Sequence, residues 1–131
     1  MTVIDTSLFV DAQRGREPAR RRLDELLRHP EDLAICAMTI LELRAVPRMA
    51  PEWSRFYASV FSAVEILELD SSAAEDGARL ARDMARRGFK LHNADAAVAG
   101  CAVRAGAAVI VAADRDFTEL RGVRVEYVQP S

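Results

Sequence analysis

Four carboxylates of this 131-residue chain stand where carboxylates are expensive. Asp5 closes the apolar run Val3–Ile4. Glu42 lies inside "TILELRAV", between Leu41 and Leu43. Asp95 heads the small-residue run of "LHNADAAVAG". Asp114 follows "AAVIVAA", with Asp116 two residues on. A buried, unpaired charge is costly, so each needs a reason. Local reasons exist for each. Asp5 can cap the next turn through Thr6 and Ser7, and Glu42 can pair with Thr39 in a capping box. Asp95 can favour a helix N-terminus, and Asp114 can open a turn in "ADRDF". One cause covers all four together. Carboxylates that converge repel one another unless a cation neutralises them, and hard Mg²⁺ or Mn²⁺ takes such oxygen ligands. A cluster of this size can hold one or two ions, and two ions about 3.5–4 Å apart would stabilise the attacking and leaving oxygens of a phosphodiester displacement by activated water.

Competing chemistries are absent. There is no GxGxxG, no Walker A and no GxSxG elbow, and Ser7 has no evident histidine partner. His29 sits at a helix end in "LRHPED", and His92 precedes Asp95 by three residues without a metal-ligand spacing. Cys36 and Cys101 stand in apolar contexts with no CxxC pattern and are expected to be buried free thiols. The net charge of −2 announces no nucleic-acid binder in bulk. The distribution is more telling. Lys90 is the one lysine among 18 basic residues, and the arginines cluster at Arg14–Arg22 and Arg86–Lys90. Arginine suits bidentate phosphate contacts, although each cluster alone also fits a solvated helix face. Arg14, Arg16, Arg86, Arg87 and Lys90 are the candidates for phosphate contact.

The elements that must position these groups follow from periodicity. "TVID" reads as a buried strand, and "EPARRRLDELLRH" as a helix with Pro18 in its first turn. "DLAICA" is a second strand. "MTILELRAV" is a helix with Thr39 as its N-cap, and "EWSRFYASVFSA" is an amphipathic helix. "VEILELD" alternates apolar and acidic residues, as an edge strand does. "SSAAEDGARLARDMARRG" is a long helix closed by Gly88. "NADAAVAGCAVRAG" is a helix capped by Asn93 and closed by Gly106, whose alanines let it pack closely on the sheet. "AAVIVAA" is a central strand and "VRVEYV" a last one. Alternating strands and helices imply an α/β sandwich with a mostly parallel sheet. Ligands of such sheets bind at the carboxyl ends of the strands, where Asp5 and Asp114 fall. The length argues for one domain, residues 1–131. No run is long enough for a membrane span, and the first residues lack a signal-peptide pattern, so a cytoplasmic protein is expected.

"VIDTSLFVD", "TILELRAV", "LHNADAAVAGCAV" and "VAADRDFTEL", in this order and over essentially the whole chain, resemble the PIN-domain ribonucleases, more narrowly the VapC toxins of bacterial VapBC toxin–antitoxin pairs. The resemblance implies a three-layer α/β/α sandwich. It also implies Mg²⁺- or Mn²⁺-dependent endonucleolytic cleavage of RNA, often tRNA or rRNA. Asp5, Glu42, Asp95 and Asp114 match the family's metal-binding acids, Asp116 a more variable one, and Thr6 a hydroxyl that helps order the site. A homodimer inhibited by a small VapB-type antitoxin is further implied. One departure stands out: the family commonly carries Thr or Ser before the last acid, where this chain has Ala112 and Ala113. An alternative reading is a PIN-like module that binds RNA or protein without cutting. A third is another metal phosphohydrolase, acting on DNA flaps or small phosphate esters.

Overall fold

The computed structural model describes residues 1–131. In chain order the elements are β1 (Thr2–Ile4), α1 (Thr6–Gln13), α2 (Glu17–Leu26), β2 (Leu33–Cys36), α3 (Ala37–Arg44), α4 (Pro51–Ala63), β3 (Glu65–Leu67), α5 (Ser71–Arg86), α6 (Asn93–Arg104), β4 (Val109–Ala112) and β5 (Val125–Tyr127). Short 3₁₀ turns cover Pro30–Asp32 and Arg115–Glu119. No helix is long and apolar enough to cross a membrane.

The strands form one sheet in the order β3-β2-β1-β4-β5, and every pairing is parallel. β3 is an edge strand, as its acidic alternation requires. The inner strands are apolar on both faces because both faces are covered. Val3, Ala34, Cys36, Ile110 and Ala112 point into a core shared with α5 and α6. Ile4, Leu33, Ile35 and Val111 alternate to the other side, against α1, α2, α3 and α4. The result is the expected three-layer α/β/α sandwich. The order reverses between β1 and β4, which start the two halves of the sheet, and a crevice at their carboxyl ends is where such sheets bind ligands.

Several local expectations are corrected. α1 went unread because Thr6, Phe9 and Val10 are weak helix formers. Its helical spacing is carried by the buried residues Leu8, Phe9 and Ala12, with Asp5 as N-cap. Thr39 is not an N-cap: α3 starts two residues earlier, Cys36 holds the cap position, and Thr39 is buried inside the helix. Asn93 is the first residue of α6 rather than its cap, a place taken by His92 without a side-chain bond. Gly88 and Gly106 do close their helices, each with a positive φ.

The small residues of α6 serve a second helix as well as the sheet. α5 crosses α6 so closely that a Cβ on Gly100 would lie 2.7 Å from Gly77 N and 2.9 Å from Gly77 Cα, and would press harder still on the Ala73 carbonyl oxygen. A Cβ on Gly77 would strike the Ala96 carbonyl. The neighbours are backbone atoms and cannot swing aside. Gly100→Ala is therefore expected to cost about 1–3 kcal/mol through overpacking and to lift α6, with Asp95, off its seat. Urea denaturation checks this; an unchanged midpoint would mean that the two helices separate freely.

Candidate metal centre

Asp5 sits one residue beyond β1, beside the end of β4, and its backbone N–H donates to the Val111 carbonyl at 2.9 Å. It is almost wholly buried, at 2% exposure. Its Oδ2 caps α1 by accepting from the Ser7 backbone N–H at 2.9 Å, and it also accepts from the Ser7 hydroxyl. Its Oδ1 is buried with no partner at all. A carboxylate oxygen in that condition is poorly placed unless something cationic meets it.

Ser7 is the capping partner expected for Asp5, and it has a second bond that local sequence does not show. Its Oγ accepts from the Ala113 backbone N–H at 2.8 Å. Its single proton is thus free for Asp5, and the hydroxyl links the end of β4 to the acid that follows β1. The cap on Asp5 could be read from sequence, because Ser7 follows the aspartate by two residues; the bond to Ala113 could not.

Thr6 orders a different acid. Its hydroxyl is 2.7 Å from Glu42 Oε1 and 3.0 Å from the Thr39 hydroxyl. An ionised carboxylate can only accept, so the Thr6 proton goes to Glu42. Glu42 is not in a capping box with Thr39; both are tied to α1 through Thr6. Asp114 caps the 3₁₀ turn that follows β4, its Oδ1 accepting from the Asp116 N–H at 2.9 Å. Asp95 lies in the first turn of α6, half-buried.

Asp5, Glu42, Asp95 and Asp114 line one cavity of about 370 Å³, together with Thr6, Ser7 and Arg14. Asp116 does not line it. It does join Asp95 and Asp114 in a group whose carboxylate oxygens all lie within 4.8 Å of one another. The two sets share Asp95 and Asp114. Oxygens around one Mg²⁺ at 2.0–2.1 Å lie about 3–4 Å apart, so the outer trio needs little closure to hold an ion. The hard all-oxygen donor set and the unpartnered Asp5 Oδ1 fit a divalent cation.

The electrostatics carry the same mark. Burial is the largest force on Asp5 and pushes its pKa up to about 6; the two Ser7 hydrogen bonds pull the other way, and Glu42 and Asp114 add repulsion. Asp95 is pushed up to about 7 by burial and then by the charges of Asp5, Asp114, Glu42 and Asp116. The helix N-terminus should favour an ionised Asp95 by about 0.3–1 kcal/mol, yet burial and like charge outweigh it.

Other candidates fall elsewhere. Arg16 is engaged by Asp11 at 2.9 Å; the second oxygen of Asp11 is buried without a partner. Arg87 is bound to Asp83 and to the Glu119 carbonyl. Arg86 and Lys90 are exposed and line other cavities. His92 is exposed and does not line the acidic cavity. Cys36 and Cys101 are buried free thiols with sulfurs 3.0 Å apart.

The PIN domain model matches residues 2–123. Among solved structures, the chain is similar to the DNA-bound VapBC of Salmonella typhimurium, with 27% identity, 95% of this chain and 96% of that chain covered, and a TM-score of 0.73. It is similar to VapBC-5, a member of the VapBC family of toxin–antitoxin systems from Mycobacterium tuberculosis, with 25% identity, 98% and 97% covered, and a TM-score of 0.65. FitAcB from Neisseria gonorrhoeae shares the fold at 23% identity, 95% and 96% covered, with a TM-score of 0.75. No curated protein matches the chain.

Carboxylates whose folded pKa is raised favour the fold when protonated. Their contribution is present below the unfolded value near 3.8 and is lost as pH rises through about 6 and 7. The metal-free protein should therefore melt lower at pH 8 than at pH 5, by a few degrees. Asp95→Asn should flatten that slope. Mg²⁺ or Mn²⁺ should restore the wild-type melting temperature at pH 8 and do little at pH 5. Thermal melts across pH, with and without metal, check this; a pH-independent melt indifferent to metal would remove the case for a cation site.

Proposed function

Because the chain belongs to the PIN-domain family, we propose that it is a metal-dependent endoribonuclease, a single domain acting in the cytoplasm as the toxin of a type II toxin–antitoxin module. The observation that carries this reading is the buried Asp5 with one oxygen unpartnered, in a cavity it shares with Glu42, Asp95 and Asp114. Asp5, Glu42 and Asp95 would hold the principal Mg²⁺ or Mn²⁺, and Asp114 and Asp116 would support it or a second ion. When bound, the cation supplies Lewis-acid charge and activates water toward a phosphodiester.

The chain's own residues do the rest. Ser7 fixes the orientation of Asp5, and Thr6 fixes that of Glu42. The 3₁₀ turn capped by Asp114 brings Asp116 close to Asp95. Arg14, on the cavity wall, is placed to contact a phosphate beside the one that is cut. Arg16, Arg86, Arg87 and Lys90 are the remaining candidates for the RNA backbone, and Arg16 and Arg87 would have to leave their present carboxylates to serve. The partner is a small VapB-type antitoxin, in keeping with the VapBC complexes the chain resembles, and the active form is a homodimer. RNA as substrate, tRNA or rRNA above all, comes from the family resemblance.

Purified protein, free of antitoxin, is expected to cut total cellular RNA into discrete fragments with Mg²⁺ or Mn²⁺ and not with EDTA. Asp5→Asn, which keeps an acceptor for the Ser7 N–H, should remain folded and lose at least about 10²-fold in rate, the scale of removing a group that stabilises the transition state. Gel analysis beside a single-stranded DNA of matched sequence checks both the activity and the substrate. An Asp5→Asn variant that cuts normally would sink the proposal.

A further inference from the structure

We infer that Arg115, braced on the ring of Tyr127, is a phosphate-gripping residue that works with Arg14 to hold an RNA strand across the acidic cavity; this deepens, and rests on, the ribonuclease reading above. The cavity as built repels its substrate. Asp5, Asp11, Glu42, Asp95 and Asp114 line it, and the only cationic residues among its walls are Arg14 and Arg115. A cation at the acids would answer for the phosphate being cut. The phosphates on either side need a charge partner supplied by the protein.

Arg115 is fitted for that part. It stands between Asp114 and Asp116, yet its guanidinium forms no ion pair with either and is exposed. It lies instead 5.9 Å from the ring centroid of Tyr127. Tyr127 ends β5, paired in register with Ala112 at the end of β4, so the ring is fixed to the same sheet edge as the acids. The backbone of Arg115 is held as well. The Thr118 hydroxyl donates to its carbonyl at 2.7 Å, and the Asp114 side chain closes the turn around it. A guanidinium held over an aromatic face by cation–π attraction keeps its fork of donors free for phosphate oxygens. Holding it in advance reduces the ordering cost of binding. Arg14 likewise forms no ion pair; it caps the C-terminus of α1 and lines the same cavity as Thr6 and Asp11.

The test uses a fluorescein-labelled single-stranded RNA of mixed sequence. Its binding to the uncutting Asp5→Asn protein with Mg²⁺ is read by anisotropy over a salt series, beside steady-state cleavage by the otherwise wild-type chain. Arg115→Gln is expected to weaken binding about 5–10-fold and to lower the salt slope by about 0.7, one phosphate contact on a single strand. In cleavage it should raise KM while leaving kcat within about twofold, as loss of uniform binding does. Tyr127→Phe, which keeps the ring face, should behave as wild type, and Tyr127→Leu should follow Arg115→Gln. Arg55→Gln, at an exposed position on α4, should change nothing. Unchanged affinity, slope and KM in Arg115→Gln would overturn the inference, as would an equal loss in Arg55→Gln. If the wild type cuts nothing while Arg115→Gln still loses affinity, the nuclease reading fails and the strand-gripping role stands.

Discussion

Keeping five acids together against their own repulsion is the constraint on which the rest of this molecule depends. At two carboxylates' separation of about 4 Å the repulsion is about 4 kcal/mol at an effective dielectric of 20, and burial adds a desolvation cost at Asp5 and Asp95. Proton uptake is the escape open to any such cluster, and the upward shifts of Asp5 and Asp95 show it pressing that way. Most of the polar detail near the cavity works against dispersal. Ser7 ties Asp5 to β4, Thr6 ties Glu42 to α1, and Asp114 is tied back to its own turn. Each bond is modest. Together they replace the freedom of exposed acids to turn away from one another.

The fold supplies the convergence that these bonds preserve. A parallel sheet sends every strand's carboxyl end to one edge, and the reversal of order between β1 and β4 sets Asp5 beside the end of the strand that precedes Asp114. Glu42 arrives because α3 begins directly at the end of β2, with Cys36 as its cap. Asp95 arrives in the first turn of α6, and the place of α6 beside α5 is set by Gly77 and Gly100, which let the two helices meet backbone to backbone. The two glycines are thus part of the site's construction although neither lines the cavity.

Much of this was legible in the sequence, and the gaps have physical causes. Short β-branched runs marked the strands, acidic alternation marked β3 as an edge, and Gly88 and Gly106 marked helix ends, because each signal is local and has one common cause. α1 was missed because its core-facing residues span barely a turn and Phe9 and Val10 favour strand as readily as helix. Thr39 was misread as a cap because a hydroxyl three residues before a glutamate makes the same pattern whether it faces a helix end or a buried neighbour. The partner that decides the matter, Thr6, is 33 residues away. The second bond of Ser7 was invisible for the same reason, since its acceptor role depends on the Ala113 amide, 106 residues distant. The acids themselves could be picked out by apolar context, but not which of them lie closest. That depends on the turn after β4, which swings Asp116 toward Asp95 and away from the cavity wall.

The absent hydroxyl at Ala112–Ala113 can be weighed in these terms. Ala112 is fully buried in the core beneath α5 and α6, where a threonine would bring a polar group needing its own partner. Ala113 presents its backbone N–H to Ser7, and Ser7 passes a proton toward Asp5. A hydroxyl is therefore at work between β4 and the acid that follows β1 after all, supplied from α1 rather than from the strand. Backbone geometry fixes the amide more firmly than a rotatable side chain could be fixed, so the substitution by alanine leaves Asp5 held. What it leaves unheld is the far oxygen of Asp114, whose near one is spent on its own turn. The burden of ordering the last acid then falls on the turn itself, Arg115–Glu119, and on the packing of Phe117 into the core beneath it.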